Sequence, residues 1–243
     1  MNAQLPLGQH VDILAIGTRP GDVEIGVGGI LLKMAMRGYT TVICDLTSGG
    51  LQVPGNAGVT GEEIKEASAI LHVSDRTNLD LGDFPFQANP ECAQILADCL
   101  RLYNPDIILA PHWEDWIPLH HFTTQLLHRA VEIAGFPHEE TPTKPYKPSW
   151  ILYYPTARPI IPQIIVNITS SFEGKMEAAK VYQSLFHDNP PCAPHASTSS
   201  RDFSFHVESR ARHFGSLINC RFGEGLILAR PIPVDDICEM ITL

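Results

Sequence analysis

No stretch of this chain approaches the roughly 20 consecutive apolar residues that a membrane-spanning helix needs. The first ten residues, Met1 to His10, lack a basic segment followed by an apolar one. A secretory signal is therefore not expected, and the expected location is cytoplasmic. Basic residues are scarce: 17 Lys and Arg face 27 Asp and Glu, for a net charge of −10. A general nucleic-acid binder displaces counterions with Lys and Arg, so neither nucleic acid nor a membrane is an expected partner. The six cysteines, Cys44, Cys92, Cys99, Cys192, Cys220 and Cys238, contain no C-x-x-C pair. That spacing argues against a structural zinc–cysteine site and for scattered reduced thiols. Internal repeats and linkers are also missing, so residues 1–243 are expected to form a single domain.

What is present suits a globular fold, with 44% hydrophobic residues and 18% charged ones. Val11–Gly17 and Thr40–Leu46 are short, nearly continuous apolar runs of the kind found in strands buried on both faces. Asp106–Ala110 repeats the pattern, and Thr77–Leu81, Trp150–Pro155, Ile164–Ile168 and Leu226–Ala229 are further strand candidates. Helical spacing runs through Ile30–Arg37, Glu62–Leu71, Asn89–Tyr103, His121–Ala134, Phe172–Phe186 and Phe205–Ile218. Thr18–Gly29 reads as a glycine-rich turn, and Thr47–Gly61, Pro137–Pro148 and Asp188–Ser200 read as loops. The alternation predicts an α/β fold: a Rossmann-like, doubly wound, mainly parallel sheet with helices on both faces.

In such a sheet, ligands bind beyond the carboxyl ends of the strands. Three segments qualify: Thr18–Gly29, Thr47–Gly50 and Pro111–His121. They carry Arg19, Asp22, Glu24, Thr47, Ser48, His112, Glu114, Asp115, His120 and His121. Two chemistries are open. A dinucleotide site is one, although Gly26–Gly29 does not fit G-x-G-x-x-G and stands too far from the strand. Those glycines serve equally to let a helix pack closely on the sheet. Metal binding is the other, with Asp22 and His120 as ligands, since zinc hydrolases use about three protein ligands and leave one position open. Neighbouring residues on a helix point about 100° apart, so His120 and His121 do not both reach one ion. Against both stands the plain reading that these histidines pack or cap at a helix start.

Several segments together resemble the LmbE/PIG-L family of zinc-dependent N-acetylglucosaminide deacetylases, and within it the bacillithiol-biosynthesis type. DILAIGTRPGDVEIGVGGILLK is similar to the family's strand, A-H-P-D-D-V-E motif and glycine-led helix. ICDLTSG, EEIKEASAIL, ILAPHWEDWIPLHH, KMEAAKVYQSLF and RARHFGSLINCRFGEGL resemble later family segments. The resemblance implies the fold above, zinc as cofactor, a small sugar-like ligand and a homo-oligomer. It also implies a degenerate site. At the family's zinc-ligand His stands Arg19, at its general base Gly21, and at its second ligand the retained Asp22. The family's acid position is Ile117, the neighbouring Asp is Leu119, and the last zinc-ligand His is retained as His120. Asp115 is retained as well, and the family's substrate-contacting Arg corresponds to Thr60.

Arg19 is always charged and cannot ligate a cation. Gly21 has no side chain to accept a proton, and Ile117 has none to give. The expectation is thus a deacetylase homologue without the family's activity, serving in binding or regulation, with zinc weakly bound or missing. Asp22 and His120 are its residual ligands. Arg19, Glu24, Thr47, Ser48, His112, Asp115 and His121 are the expected pocket residues. The alternative is a metal-dependent hydrolase of an N-acetylglucosamine-type substrate, with His112, Glu114 or Asp115 rearranged into the site.

Overall fold

The computed structural model describes residues 10–49, 59–82, 89–137, 144–182 and 200–236. Seven strands form one sheet: β1 (Ile13–Gly17), β2 (Thr41–Asp45), β3 (Asp75–Asn78), β4 (Ile107–Pro111), β5 (Trp150–Tyr154), β6 (Ile164–Asn167) and β7 (Gly223–Leu228). Their order is β3-β2-β1-β4-β5-β7-β6. The five from β3 to β5 run parallel, and β7 is antiparallel to both its neighbours. β1, β2 and most of β4 are buried on both faces, as their unbroken apolar sequences require.

Alternation along β1 splits the core in two. Leu14 and Ile16 point to the layer of α3 (Pro90–Tyr103) and α4 (Pro118–Ala134). Ile13 and Ala15 point to the layer of α1 (Asp22–Met36), α2 (Gly61–Ile70), α5 (Phe172–Val181) and α6 (Ser200–Leu217). The strand-to-helix alternation read from the sequence is therefore a doubly wound sheet covered on both sides. Among the described residues, no helix is long and apolar enough to cross a membrane.

Local signals set several helix starts. Asn89 caps α3 by accepting from the Cys92 amide at 2.8 Å, and Pro90 fills the first turn. Thr60 and Glu63 form a reciprocal capping box at the start of α2. Thr60, the position matched to a substrate-contacting Arg, thus has a capping role here.

Some boundaries differ from expectation. Residues 22–29, read as a turn, are the first half of α1. Three glycines there lower helix propensity, but packing overrides it. A Cβ on Gly26 would sit 2.1 Å from the Tyr154 ring, and one on Gly29 would sit 2.7 Å from Ile168. The glycines therefore serve close approach of helix to sheet. The helix breaks at Val27 (φ −139°). Its freed amides at Gly29 and Ile30 donate to the Glu224 carboxylate from β7, at 3.0 and 2.7 Å. Buried Lys175 pairs with Glu224 and also donates to the Ile25 carbonyl at 2.7 Å. α4 begins at Pro118 rather than His121, because proline suits the first helical position. β3 runs Asp75–Asn78 rather than Thr77–Leu81, and α5 ends at Val181. Ser200, assigned to a loop, begins α6. The rest of the Asp188–Ser200 loop lies outside the described residues, as do most of Thr47–Gly61 and half of Pro137–Pro148.

Candidate functional site

β1 lies between β2 and β4, and the connections leave it in opposite directions. This is the switch point at which open α/β sheets bind ligands. α1 starts just beyond β1, and α4 starts a short loop beyond β4. Their first turns bring Asp22 and His120 together, with Asp22 Oδ2 3.3 Å from His120 Nε2. Both side chains are buried.

The other face of the His120 ring is also engaged. Its Nδ1 lies 3.7 Å from Asp115 Oδ2 and 3.3 Å from Thr156 Oγ1. Asp115 in turn accepts from the backbone amides of Thr156, Ala157 and Arg158, at 2.8, 3.1 and 3.3 Å. It also accepts from the Thr156 hydroxyl at 3.0 Å. Asp115 is thus the fixed end of an Asp115–His120–Asp22 chain. Burial alone would raise the Asp115 carboxyl, but the bonds from His120, Thr156 and Ala157 hold it well below the carboxylate range. Burial would likewise lower His120, but Asp22 and Asp115 together push it up to about 9. Asp22 is pressed upward by burial, yet His120 and then Arg19 hold it below its ordinary value.

Arg19 completes the group. Its Nε stands 3.7 Å from Asp22 Oδ1, and its backbone amide donates to Asp22 Oδ2 at 3.2 Å. Gly21 has φ +100°, a backbone conformation that side-chain-bearing residues rarely adopt. Ile117 is the residue capping α4 and offers no side-chain hydrogen bond.

The remaining expected pocket residues are dispersed. Glu24 is fully buried beneath the site, bonded to Arg76 at 2.6 Å and to the Tyr182 hydroxyl at 2.6 Å. Its carboxylate also accepts from the Gly21 amide at 3.2 Å, which fixes the start of α1 from below. Thr47 donates to the Thr18 carbonyl at 2.9 Å, and Ser48 donates to Asp80 at 3.1 Å. His112 is buried, stacks on Trp113, and accepts from the Glu114 amide at 3.2 Å through Nδ1. His121 is exposed and pairs with Gln125 at 2.9 Å. It points away from His120, as the helical rotation requires.

Sequence reasoning missed Thr156, Arg76 and Arg210. Thr156 follows β5, which lies beside β4 in the parallel sheet. That adjacency was the available signal. Arg76 bridges Glu24 and Asp45, 2.7 Å from the latter, and Arg210 donates to the carbonyls of Thr156 and Ile25. Nothing in the local sequence of either arginine announces its partners.

Zinc is the cofactor implied by the resemblance, and the donor set does not fit it. Asp22 and His120 are suitable ligands, but the further charged group beside Asp22 is Arg19, and a guanidinium cannot ligate a cation. Among the described residues, no three His, Cys, Asp or Glu side chains are grouped to hold a metal ion.

Comparison with known proteins agrees with this fold. The profile of the PIG-L family, GlcNAc-PI de-N-acetylase, matches residues 14–131. Diacetylchitobiose deacetylase of Thermococcus kodakarensis is 26% identical over 202 residues, which cover 76% of this chain and 73% of that protein. The crystal structure of the conserved protein TT1542 from Thermus thermophilus superposes with a TM-score of 0.80 at 27% identity, covering 93% of this chain and 97% of that one. N,N'-diacetylchitobiose deacetylase from Pyrococcus horikoshii, solved with its inhibitor MPG, gives 0.76 at 24% identity, covering 89% and 83%. Residues 14–131 thus match the PIG-L family, and about three quarters of the chain is similar to a deacetylase. The bacillithiol type is a finer expectation than these matches reach.

Proposed function

We propose that this chain is an LmbE-like protein that has lost zinc-dependent N-deacetylation and acts by binding a small, sugar-like ligand at the switch point of its sheet. One observation carries the reading. Asp22 and His120 are in place, but the positions beside them, Gly21 and Ile117, hold no group that can take or give a proton. Hydrolysis of an amide needs an activated water and a protonated leaving amine. Asp115 does not fill either role, because its oxygens are committed to Thr156, Ala157, Arg158 and His120. His112 is turned into the Glu114 loop and onto Trp113.

The relatives named above support a sugar-like ligand, since two of them carry diacetylchitobiose in their names. The test is release of free amine from N,N'-diacetylchitobiose and from N-acetylglucosamine, with zinc supplied. No release above background is expected, together with a saturable rise in melting temperature on adding the sugars. Turnover that disappears in both Asp22→Asn and His120→Gln would overturn the proposal.

A further inference from the structure

The disagreement between this donor set and a zinc site has a local cause in one side chain. Arg19 lies between the start of α1 and the loop after β2. A Cβ on Gly49 of that loop would come within 3.6 Å of Arg19 Cβ, so the two segments pack together. Its guanidinium approaches Asp22 from the side opposite His120's bond: Arg19 Nε faces Oδ1, whereas His120 Nε2 faces Oδ2. Both oxygens of the one retained carboxylate ligand are therefore already matched by nitrogen. The Arg19 side chain is 29% exposed, and its contact with Asp22 is a single ion pair at 3.7 Å. It is a charge at the mouth of the site rather than a strut of the fold.

We propose that Arg19 is a tethered cation that takes the place of a divalent metal beside Asp22 and bars such an ion from the site. A guanidinium keeps its proton at every physiological pH, so it never yields this place by titration. It repels an incoming divalent cation and occupies the carboxylate that would receive it. The inference rests on the reading of the site as non-hydrolytic, but its test is separate. The class of ligand excluded is a borderline divalent cation such as zinc. Charge, and not only the missing third ligand, keeps that ion out.

These two causes separate in a series at one position. Arg19→Lys keeps the charge without adding a ligand. Arg19→Gln removes the charge and adds no imidazole. Arg19→His removes the permanent charge and supplies a third ligand. Zinc affinity is read by competition with a chromophoric chelator, and zinc content by mass spectrometry after dialysis. Circular dichroism melting shows that each variant is folded; the exposure of Arg19 makes intact folding the expected result.

Wild type and Arg19→Lys are expected to remain without bound zinc. Arg19→Gln is expected to bind zinc at least roughly tenfold more tightly than wild type, and Arg19→His to hold about one zinc per chain. Zinc addition should raise the melting temperature most in Arg19→His, less in Arg19→Gln and not in wild type or Arg19→Lys, and a chelator should reverse each rise. The proposal fails if Arg19→Gln binds zinc no better than wild type, because charge then plays no part. It also fails if wild type itself loads zinc. Amine release by wild type would sink the functional reading whatever the series shows. A flat series in a protein without amine release would sink only this inference.

Discussion

Asp22 and His120 stand 98 positions apart in the chain and meet with 3.3 Å between Oδ2 and Nε2, each the first-turn residue of a helix leaving the sheet at its switch point. Asp115 holds the other ring nitrogen of His120 at 3.7 Å. Removing the imidazole would take away the partner that Asp22 and Asp115, both buried, share. His120→Ala is expected to destabilise the fold by about 3 kcal/mol, the cost of breaking a buried pair. Urea unfolding measures it. The loss should be the same with and without added zinc; a loss that grows with zinc would mean that the site holds metal.

Below the site, Arg76 joins Glu24 to Asp45, with its Nη1 2.6 Å from the first and its Nε 2.7 Å from the second. Both carboxylates are buried, and burial pushes Asp45 up to about 6 even though Arg76 pulls it down. Arg76→Met is expected to cost about 3–5 kcal/mol, because it leaves both acids without a counter-charge. Arg76→Lys should cost less, since a single ammonium keeps the charge but not the two-armed geometry. Equal losses in the two variants would show that shape rather than charge is what matters there.

The glycines of α1 differ sharply in what they tolerate. Gly26→Ala drives a methyl to 2.1 Å from Tyr154 and is expected to cost about 2 kcal/mol or more through overpacking. Gly28 has its nearest neighbour, Lys175 Cγ, at 3.5 Å. Gly28→Ala should be neutral or stabilising by up to about 1 kcal/mol, from better helix propensity. Thermal melts of the two single variants check the pair.

His128 gives stability a dependence on pH. Burial lowers its imidazole below the ordinary value, so the unfolded chain binds that proton more readily than the folded one. Its contribution is present above about pH 6.5 and is lost as the pH falls from there through the folded value. His128→Gln keeps a polar partner for the Tyr153 hydroxyl, which lies 2.6 Å from His128 Nε2. Unfolding free energy in the variant is expected to fall less steeply than in wild type between about pH 7 and pH 5. Parallel slopes would contradict the assignment.

The sheet was legible because its central strands are short apolar runs, VDILAIG, TTVICDL and DIILA, each followed by a loop. Helix α3 was legible from Asn89, Pro90 and its amphipathic spacing. The first half of α1 was not, because Gly26, Gly28 and Gly29 signal a turn locally, and the reason for them is Tyr154 and Ile168 on distant segments. Asp22 and His120 were visible through their place in family-like motifs. The bonds that orient them were not, since Thr156 stands 36 residues from His120, and Arg76 stands 52 from Glu24. Pairings of that length follow from strand order, which no local pattern encodes.

The central claim is that this site, with Arg19 at a ligand position, has no place for the family's metal. The most direct measurement is the zinc content of the wild-type protein by mass spectrometry, after zinc supplementation and desalting. The account predicts zinc far below stoichiometric. Zinc retained at about one per chain would contradict it, because a third ligand would then have to exist beside Asp22 and His120.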